Sequence, residues 1–491
     1  MNNQGWKKWA TCLNNGRQNQ RDLVSARRCD RPVQGSRSKE LVSLTTCQRV
    51  AIAVLIGAGV IVRVVLAVKS PQPYGYVWDF YHEGIQVLYE KGRLPLATDC
   101  WQCYHPPLFY LAGWPFYDLG EKLESLRGSG GTALRWLSLL PVLAGVVTVW
   151  FGWRILRLFS LQGWDLVLGF GLLVSFPLLV IGSYGIEADI VLTAVIVVFT
   201  YYLCLWWRSP DDTSVPAAVR LGVLAGLAAA TKYNGLAALT VFVIMIMVQS
   251  AGTNRRRPLL VTGAIVVGVG LLVGGWKYVD NLRRYDTPMY ANGPAQKGFQ
   301  LNPRRYWDLY NLVSVRPGEL LALWGSNPPM GELTELKVYR SVPTTLYANA
   351  WTDMTFFSEP TRHGHWSHPY PKREMPVELV AAVLALGLLP TGLAVVGFFA
   401  SLRERAHWPL AVLCVVTIAA YVWWFLPQAS WALKTKYMLF LLPAYVVYAI
   451  VGLQRVRAIA PRILNTASVV VFVALLASVH AYLLVFAVGH M

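Results

Sequence analysis

Apolar runs of about 20 residues recur along the whole chain, broken by short polar or basic stretches. A bilayer core about 30 Å thick needs about that many helical residues to cross it. The runs begin at Val50, Ala133, Leu166, Ile190, Pro258, Val377, Pro409, Tyr437 and Ile463. The stretch from Val215 to Ser250 is too long for one crossing. Its polar break TKYNG, Thr231 to Gly235, predicts the tip of a tight hairpin. The pattern predicts an all-α polytopic membrane protein with about 11 transmembrane helices.

Composition agrees. Of 491 residues, 55% are hydrophobic and 14% charged, with a mean hydropathy of +0.42. The net charge of +18 raises nucleic-acid binding as an alternative. Its distribution argues against that. The basic residues punctuate apolar runs: Arg154 and Arg157, RRR at 255–257, RER at 403–405 and RVR at 455–457. Set on one side of a membrane, they follow the positive-inside rule. Residues 1–49, with Arg17, Arg21, Arg27, Arg28, Arg31, Arg37 and Lys39, then form a basic cytoplasmic tail near anionic lipid. The tail has neither helical nor strand periodicity, so it is expected to be disordered, and it is too long and polar before the first apolar run for a signal peptide. Residues 50–491 form the transmembrane domain.

This orientation puts residues 69–132, the large loop 277–376 and the short loop 427–436 on the outer face, with the tips at 183–189 and 231–235. The unusual polar clusters fall there, and the chemistry is expected there. In the first loop, a helix from Trp78 to Lys91, stopped by Gly92, would align Asp79, His82, Glu83 and Gln86 on one face. Phe80, Ile85, Leu88 and Tyr89 would lie opposite, as suits a helix in the membrane interface. A solvated stripe with Asp79 as N-cap fits the same residues.

The stretch DCWQCYHPPLFY follows. Pro106 and Pro107 fix their own φ, and Pro106 restricts His105, so a stiff corner is expected where the chain turns back to the membrane. Cys100 and Cys103 at CxxC spacing suit a disulfide facing an oxidising compartment, half of a metal site, or two free thiols. The late loop holds TRHGHWSH, where His363, His365 and His368, near Glu359, have metal-ligand spacing for a divalent ion. Contacts to a carrier or an acceptor explain them equally.

An acidic residue soon after the first span, followed by HPPL, resembles the protein O-mannosyltransferases and the lipid A aminoarabinose transferases, membrane glycosyltransferases of the GT-C superfold (glycosyltransferase family 39-like). Three further stretches agree. SYGIEADIVLTA is similar to the family's second acidic site, with Asp189 matching. WKYVDNLRRYDTPMY resembles the stretch opening the large outer loop, although Asp280 stands where the family usually has arginine. KTKYMLFLLPAY resembles an R-Y-(x)5-P run, with Lys436 in place of arginine. Tyr104 occupies a position that is acidic in some relatives.

The resemblance implies a sugar moved from a polyprenyl-phosphate carrier to an acceptor hydroxyl on a lipid, glycan or protein, with inversion. The enzyme would sit in the cytoplasmic membrane, or the endoplasmic reticulum in a eukaryote. A hydroxyl nucleophile needs a carboxylate to accept its proton, and Asp79 is the candidate, with Asp189 as the second acidic residue. The departing phosphate needs cationic donors. His105, Lys232 and Lys436 are the candidates, with Lys434 as a substitute, and His82, Glu83 and Tyr104 as acceptor or support residues. Lysines snorkelling to the interface would give the same sequence. Glu187, two residues before Asp189, would point elsewhere on a helix. A transporter or flippase is the alternative class, but it calls for mid-span charge pairs and repeated halves with broken helices, and no repeat is evident.

Overall fold

The computed structural model describes residues 44–69, 80–127, 132–209, 213–251, 256–290, 309–316, 341–352, 376–425, 435–459 and 461–489. Among them the regular structure is helical, in chain order α1 Thr46–Lys69, α2 Tyr81–Lys91, α3 Leu108–Arg127, α4 Thr132–Leu137, α5 Leu139–Leu158, α6 Gly163–Ser175 and α7 Pro177–Gly182. Then follow α8 Ala188–Arg208, α9 Val215–Thr231, α10 Leu236–Ala251, α11 Arg256–Gly274, α12 Trp276–Tyr285 and α13 Leu309–Val313. The last are α14 Val342–Thr352, α15 Val377–Ser401, α16 Trp408–Ala420, α17 Leu442–Ile459 and α18 Pro461–Gly489.

Nine helical stretches among the described residues are long and apolar enough to cross a membrane, and α6 and α9 are shorter apolar helices. Each of the predicted runs corresponds to one of these. The chain is a polytopic membrane protein.

Burial separates the helices into inner and outer members. The α8 stretch is 72% buried inside the protein, and so is the Thr435–Ile459 stretch containing α17. The α1 stretch is only 17% buried. It presents Val50, Val54, Val60, Ile61 and Val64 outward, an apolar face that suits lipid. Two helices meet where glycines face one another. A β-carbon on Gly397 of α15 would lie 1.9 Å from the Tyr448 carbonyl, and one on Gly452 of α17 would lie 2.0 Å from that of Leu393. Without side chains the two backbones pack directly, as small residues allow between membrane helices.

The break between α6 and α7 is a consequence of Pro177, which has no N–H to continue the helix. Carbonyls at the end of α6 lose their helical partners there. Arg63 of α1 supplies a replacement: both terminal guanidinium nitrogens donate to the Val174 carbonyl at 3.2 Å, and Nη1 also reaches Gly59 O at 3.1 Å. The redirected chain, α7, leads into the tip that carries Glu187 and Asp189.

Two expectations are revised. Helix α2 starts at Tyr81 and not at Trp78, because Phe80 has left-handed backbone angles (φ 53°, ψ 30°) that no helix continues. Its end at Lys91 with Gly92 in the left-handed conformation is as expected. Glu187 is not helical either. It is an extended residue (φ −135°, ψ 144°) just ahead of α8.

Candidate functional site

Four chain tips and a loop converge at one end of the bundle. The turn between α9 and α10 is the predicted hairpin tip: α9 ends at Thr231, Lys232 is extended, and Tyr233–Gly235 form one tight turn. Gly235 is required there, since a β-carbon would lie 1.9 Å from the Ala228 carbonyl. With no room for a side chain, the turn closes tightly and aims Lys232 back at the first turn of α8.

Lys232 Nζ lies 2.9 Å from each carboxylate oxygen of Asp189. The pair is buried, with side chains 6% and 3% exposed. Taking two charges out of water is costly unless each compensates the other, and this geometry does so. The ammonium also sits 4.5 Å from the Tyr437 ring centroid and 5.6 Å from that of Tyr81, within cation–π range. Beside it is a second buried pair: Lys436 Nζ donates to Glu187 Oε1 at 2.9 Å. Lys436 and Tyr437 come from the 3-10 turn Thr435–Leu441 that precedes α17. The Asn234 amide donates to the Tyr437 carbonyl at 3.1 Å and ties that turn to the hairpin tip.

His105 is buried against aromatic rings. It stacks on Tyr81 (5.5 Å between centroids, 17° between planes) and packs on Tyr104 at 4.1 Å and Tyr233 at 5.9 Å. The Tyr233 hydroxyl is the hub of this wall. It lies 2.8 Å from the Tyr104 carbonyl and 3.1 Å from that of Tyr290, and accepts from the Asn281 amide at 3.0 Å. The corner thus presents its histidine inward to rings, one ring away from Lys232.

The corner itself is tied at several points. Cys100 and Cys103 are joined as a disulfide with Cα atoms 5.0 Å apart. Asp99, immediately before it, accepts from Arg93 at 2.7 and 2.9 Å and from the Leu96 N–H at 2.7 Å. These bonds, the guanidinium first, hold its carboxyl down at about 2. Tyr110 of α3 donates to the Gln102 carbonyl at 2.5 Å. From α2, Glu83 accepts the Trp101 N–H at 3.4 Å, while burial raises its carboxyl. His82 is pushed down to about 4 by burial and is neutral at pH 7.

The sequence-predicted residues therefore divide into groups. Asp189, Lys232, Lys436, His105 and Tyr104 come together. His82 and Glu83 lie on the supporting helix α2, with Glu83 bonded to the corner. Asp79, Lys434 and His363, His365 and His368 lie outside the described residues. Among those described, no group of three or more His, Cys, Asp or Glu is placed to hold a metal ion. Sequence reasoning missed Tyr81, Tyr233 and Tyr437 and set Glu187 aside. Two of the tyrosines adjoin predicted lysines in TKYNG and KTKYM, which was the available signal. Glu187 was read as helical, whereas the helix begins one residue later, at Ala188.

No protein-family model matches the chain, and no curated protein matches it in sequence. Solved structures do. The apo oligosaccharyltransferase of Archaeoglobus fulgidus aligns at 14% identity with a TM-score of 0.50, over 90% of this chain and 56% of that one. The same enzyme tethered to an acceptor peptide containing the NVT sequon gives 13% and 0.50. ArnT from Cupriavidus metallidurans aligns at 18% identity and 0.37, over 84% of this chain and 80% of that one. The chain spans just over half the length of the oligosaccharyltransferase. At such identity the likeness is one of fold: this chain shares the fold of the Archaeoglobus fulgidus oligosaccharyltransferase over that part of its length.

Proposed function

We propose that the protein is a membrane glycosyltransferase that moves a sugar from a polyprenyl-phosphate carrier to an acceptor hydroxyl on the outer face of the membrane, with inversion. The observation that carries this reading is the convergence of two buried carboxylate–lysine pairs, Asp189–Lys232 and Glu187–Lys436, with His105 at one end of a GT-C fold. Lys232 and Lys436, with Lys434, take the donor phosphate. Their ammonium groups balance the charge that develops as the phosphate departs. His105 contributes from the corner, its ring held by Tyr81 and Tyr104.

Asp79 accepts the proton of the attacking hydroxyl. Its place two residues ahead of Tyr81, a wall of the cluster, supports that role, and a carboxylate suits it because the acceptor is a weak nucleophile. Asp189 positions the acceptor. The donor is an ionised phosphodiester, and the polyprenyl phosphate leaves as a stable anion without a general acid. A divalent ion held by His363, His365 and His368 would supply additional positive charge.

The test is lipid analysis of cells lacking the protein, together with transfer by the purified chain. An accumulating polyprenyl-phosphate sugar that the purified protein consumes in the presence of acceptor is the expected result. An unchanged lipid pool with no transfer would refute the proposal.

A further inference from the structure

Helix α8 runs from Asp189 at the candidate site to Arg208 at the opposite end of the bundle, and α5 and α9 both pack against it. The last turn of α5 lies beside that far end, where Arg208 donates to the Leu158 carbonyl. Helix α9 finishes at the candidate site with Thr231, so its first turns also lie at the far end.

Two arginines stand there on one aromatic wall. The Arg154 guanidinium of α5 lies over the Tyr201 ring at 5.2 Å and the Phe151 ring at 5.6 Å. Arg220 of α9 lies over Tyr202 at 4.7 Å. The two tyrosine rings are 5.2 Å apart between centroids, and Phe151 adjoins both, at 5.5 and 6.3 Å. Each guanidinium is therefore seated on one ring of an adjoining pair. A cation–π contact steadies the cation through the ring face and engages none of its five N–H donors. Both arginines are exposed. Among the described residues no carboxylate pairs with either, and no hydrogen bond engages either guanidinium.

The surroundings identify what these donors face. On α5, Leu143, Val146 and Trp150 are exposed and lead to Arg154 at helical spacing, so one outward stripe is apolar and ends in a cation. On a membrane-spanning helix such a stripe faces acyl chains. Arg154, one turn from the end of α5, then meets the headgroup level, with aromatic rings beside it as is usual there. A planar guanidinium also suits phosphate, to which it can donate two parallel N–H bonds.

We infer that Arg154 and Arg220 form a headgroup site for an anionic phospholipid in the leaflet at this end of the bundle. Its phosphate bridges α5 and α9 across the tyrosines of α8, and an acyl chain lies along the α5 stripe. The site is about 20 Å along α8 from Asp189 and does not rest on the sugar-transfer reading. When occupied, it fastens α9, the helix that leads into Lys232, to α5.

The experiment is native mass spectrometry of the detergent-purified full chain titrated with dioleoyl phosphatidylglycerol, with dioleoyl phosphatidylcholine as the neutral lipid of the same chain length. Wild type should hold phosphatidylglycerol about tenfold more tightly, and Arg154→Gln and Arg220→Gln should each remove about that preference, leaving phosphatidylcholine unchanged. Arg403→Gln removes an equal charge from an exposed position at the same end, outside the aromatic wall, and should change nothing. An equal loss from Arg403→Gln would mean diffuse attraction of lipid to a basic surface and would overturn the site. Should a glutamine variant not fold, the lysine variants decide. They keep the charge and lose the planar fork, so unchanged phosphatidylglycerol affinity in both overturns the site. Wild-type protein with no preference overturns it as well, as pairing of the arginines with Asp211 or Asp212 of the intervening loop would produce. Undecaprenyl phosphate that displaces phosphatidylglycerol and depends on the same two arginines would assign the surface to the carrier and overturn the phospholipid assignment.

Discussion

The ammonium of Lys232 bonds both carboxylate oxygens of Asp189 at 2.9 Å across 43 residues of sequence. The contact joins the hairpin tip between α9 and α10 to the start of α8. It is both an element of the proposed site and a fastening for it, so its removal should show in two separable measurements. Asp189→Asn leaves a buried ammonium without its counter-ion and should destabilise the protein by about 3–5 kcal/mol. Asp79→Asn should instead melt like wild type and lower turnover by about 10²-fold or more, because an amide accepts no proton. Thermal melts and transfer assays on both variants check this. Near wild-type transfer by Asp79→Asn would remove that residue from the mechanism.

His105 performs packing and, in the proposed function, phosphate contact. His105→Phe keeps a flat ring between Tyr81 and Tyr104 but loses both ring nitrogens. It should therefore retain stability and lose most of the activity. His105→Ala should lose both, and His105→Lys should keep part of the activity through its cation. Full turnover by the phenylalanine variant would make the corner a packing element only, leaving phosphate to Lys232 and Lys436.

The Cys100–Cys103 bond closes the corner directly before Tyr104 and His105. In intact membranes both thiols should resist a maleimide until a reductant is added, then take up two labels by mass. Ready labelling without reductant would show that the pair is reduced in the cell.

Acid should weaken the packing of helix α2 through His82. Burial lowers its imidazole from 6.5 to about 4. Between those values the unfolded chain binds a proton that the folded chain refuses, so stability falls as pH drops through that window. Above about pH 6.5 this contribution is constant. His82→Gln should flatten the pH dependence of the melting temperature between about pH 6.5 and 4. An unchanged profile would assign the acid sensitivity to other groups.

Much of the architecture was legible in the chain before any contact was known. A bilayer demands about 20 apolar residues per crossing, so the spans are written as local runs that need no partner to be read. The hairpin tip at Thr231–Gly235 was legible for the same reason, as a polar break in an overlong run, and the stop of α2 at Gly92 follows from glycine's freedom at positive φ. The start of α2 was not. Local pattern allowed a helix from Trp78, but the left-handed Phe80 delays its start to Tyr81, three residues later than the pattern suggests, at a point where the chain must turn to pack Tyr81 on His105.

Only tertiary structure decided which charges meet. Asp189 and Lys232 each stood out as polar residues at the ends of apolar runs, yet nothing in their spacing says that they bond to each other. Lys436 was read as a cation for phosphate, and its spacing in the sequence gave no sign that the fold pairs it with Glu187. Hydrophobic periodicity records the face that each helix turns to its surroundings. The pairing of buried charges depends on the distance between chain ends that packing brings together, and in a low-dielectric site that distance determines whether a charge is tolerated at all.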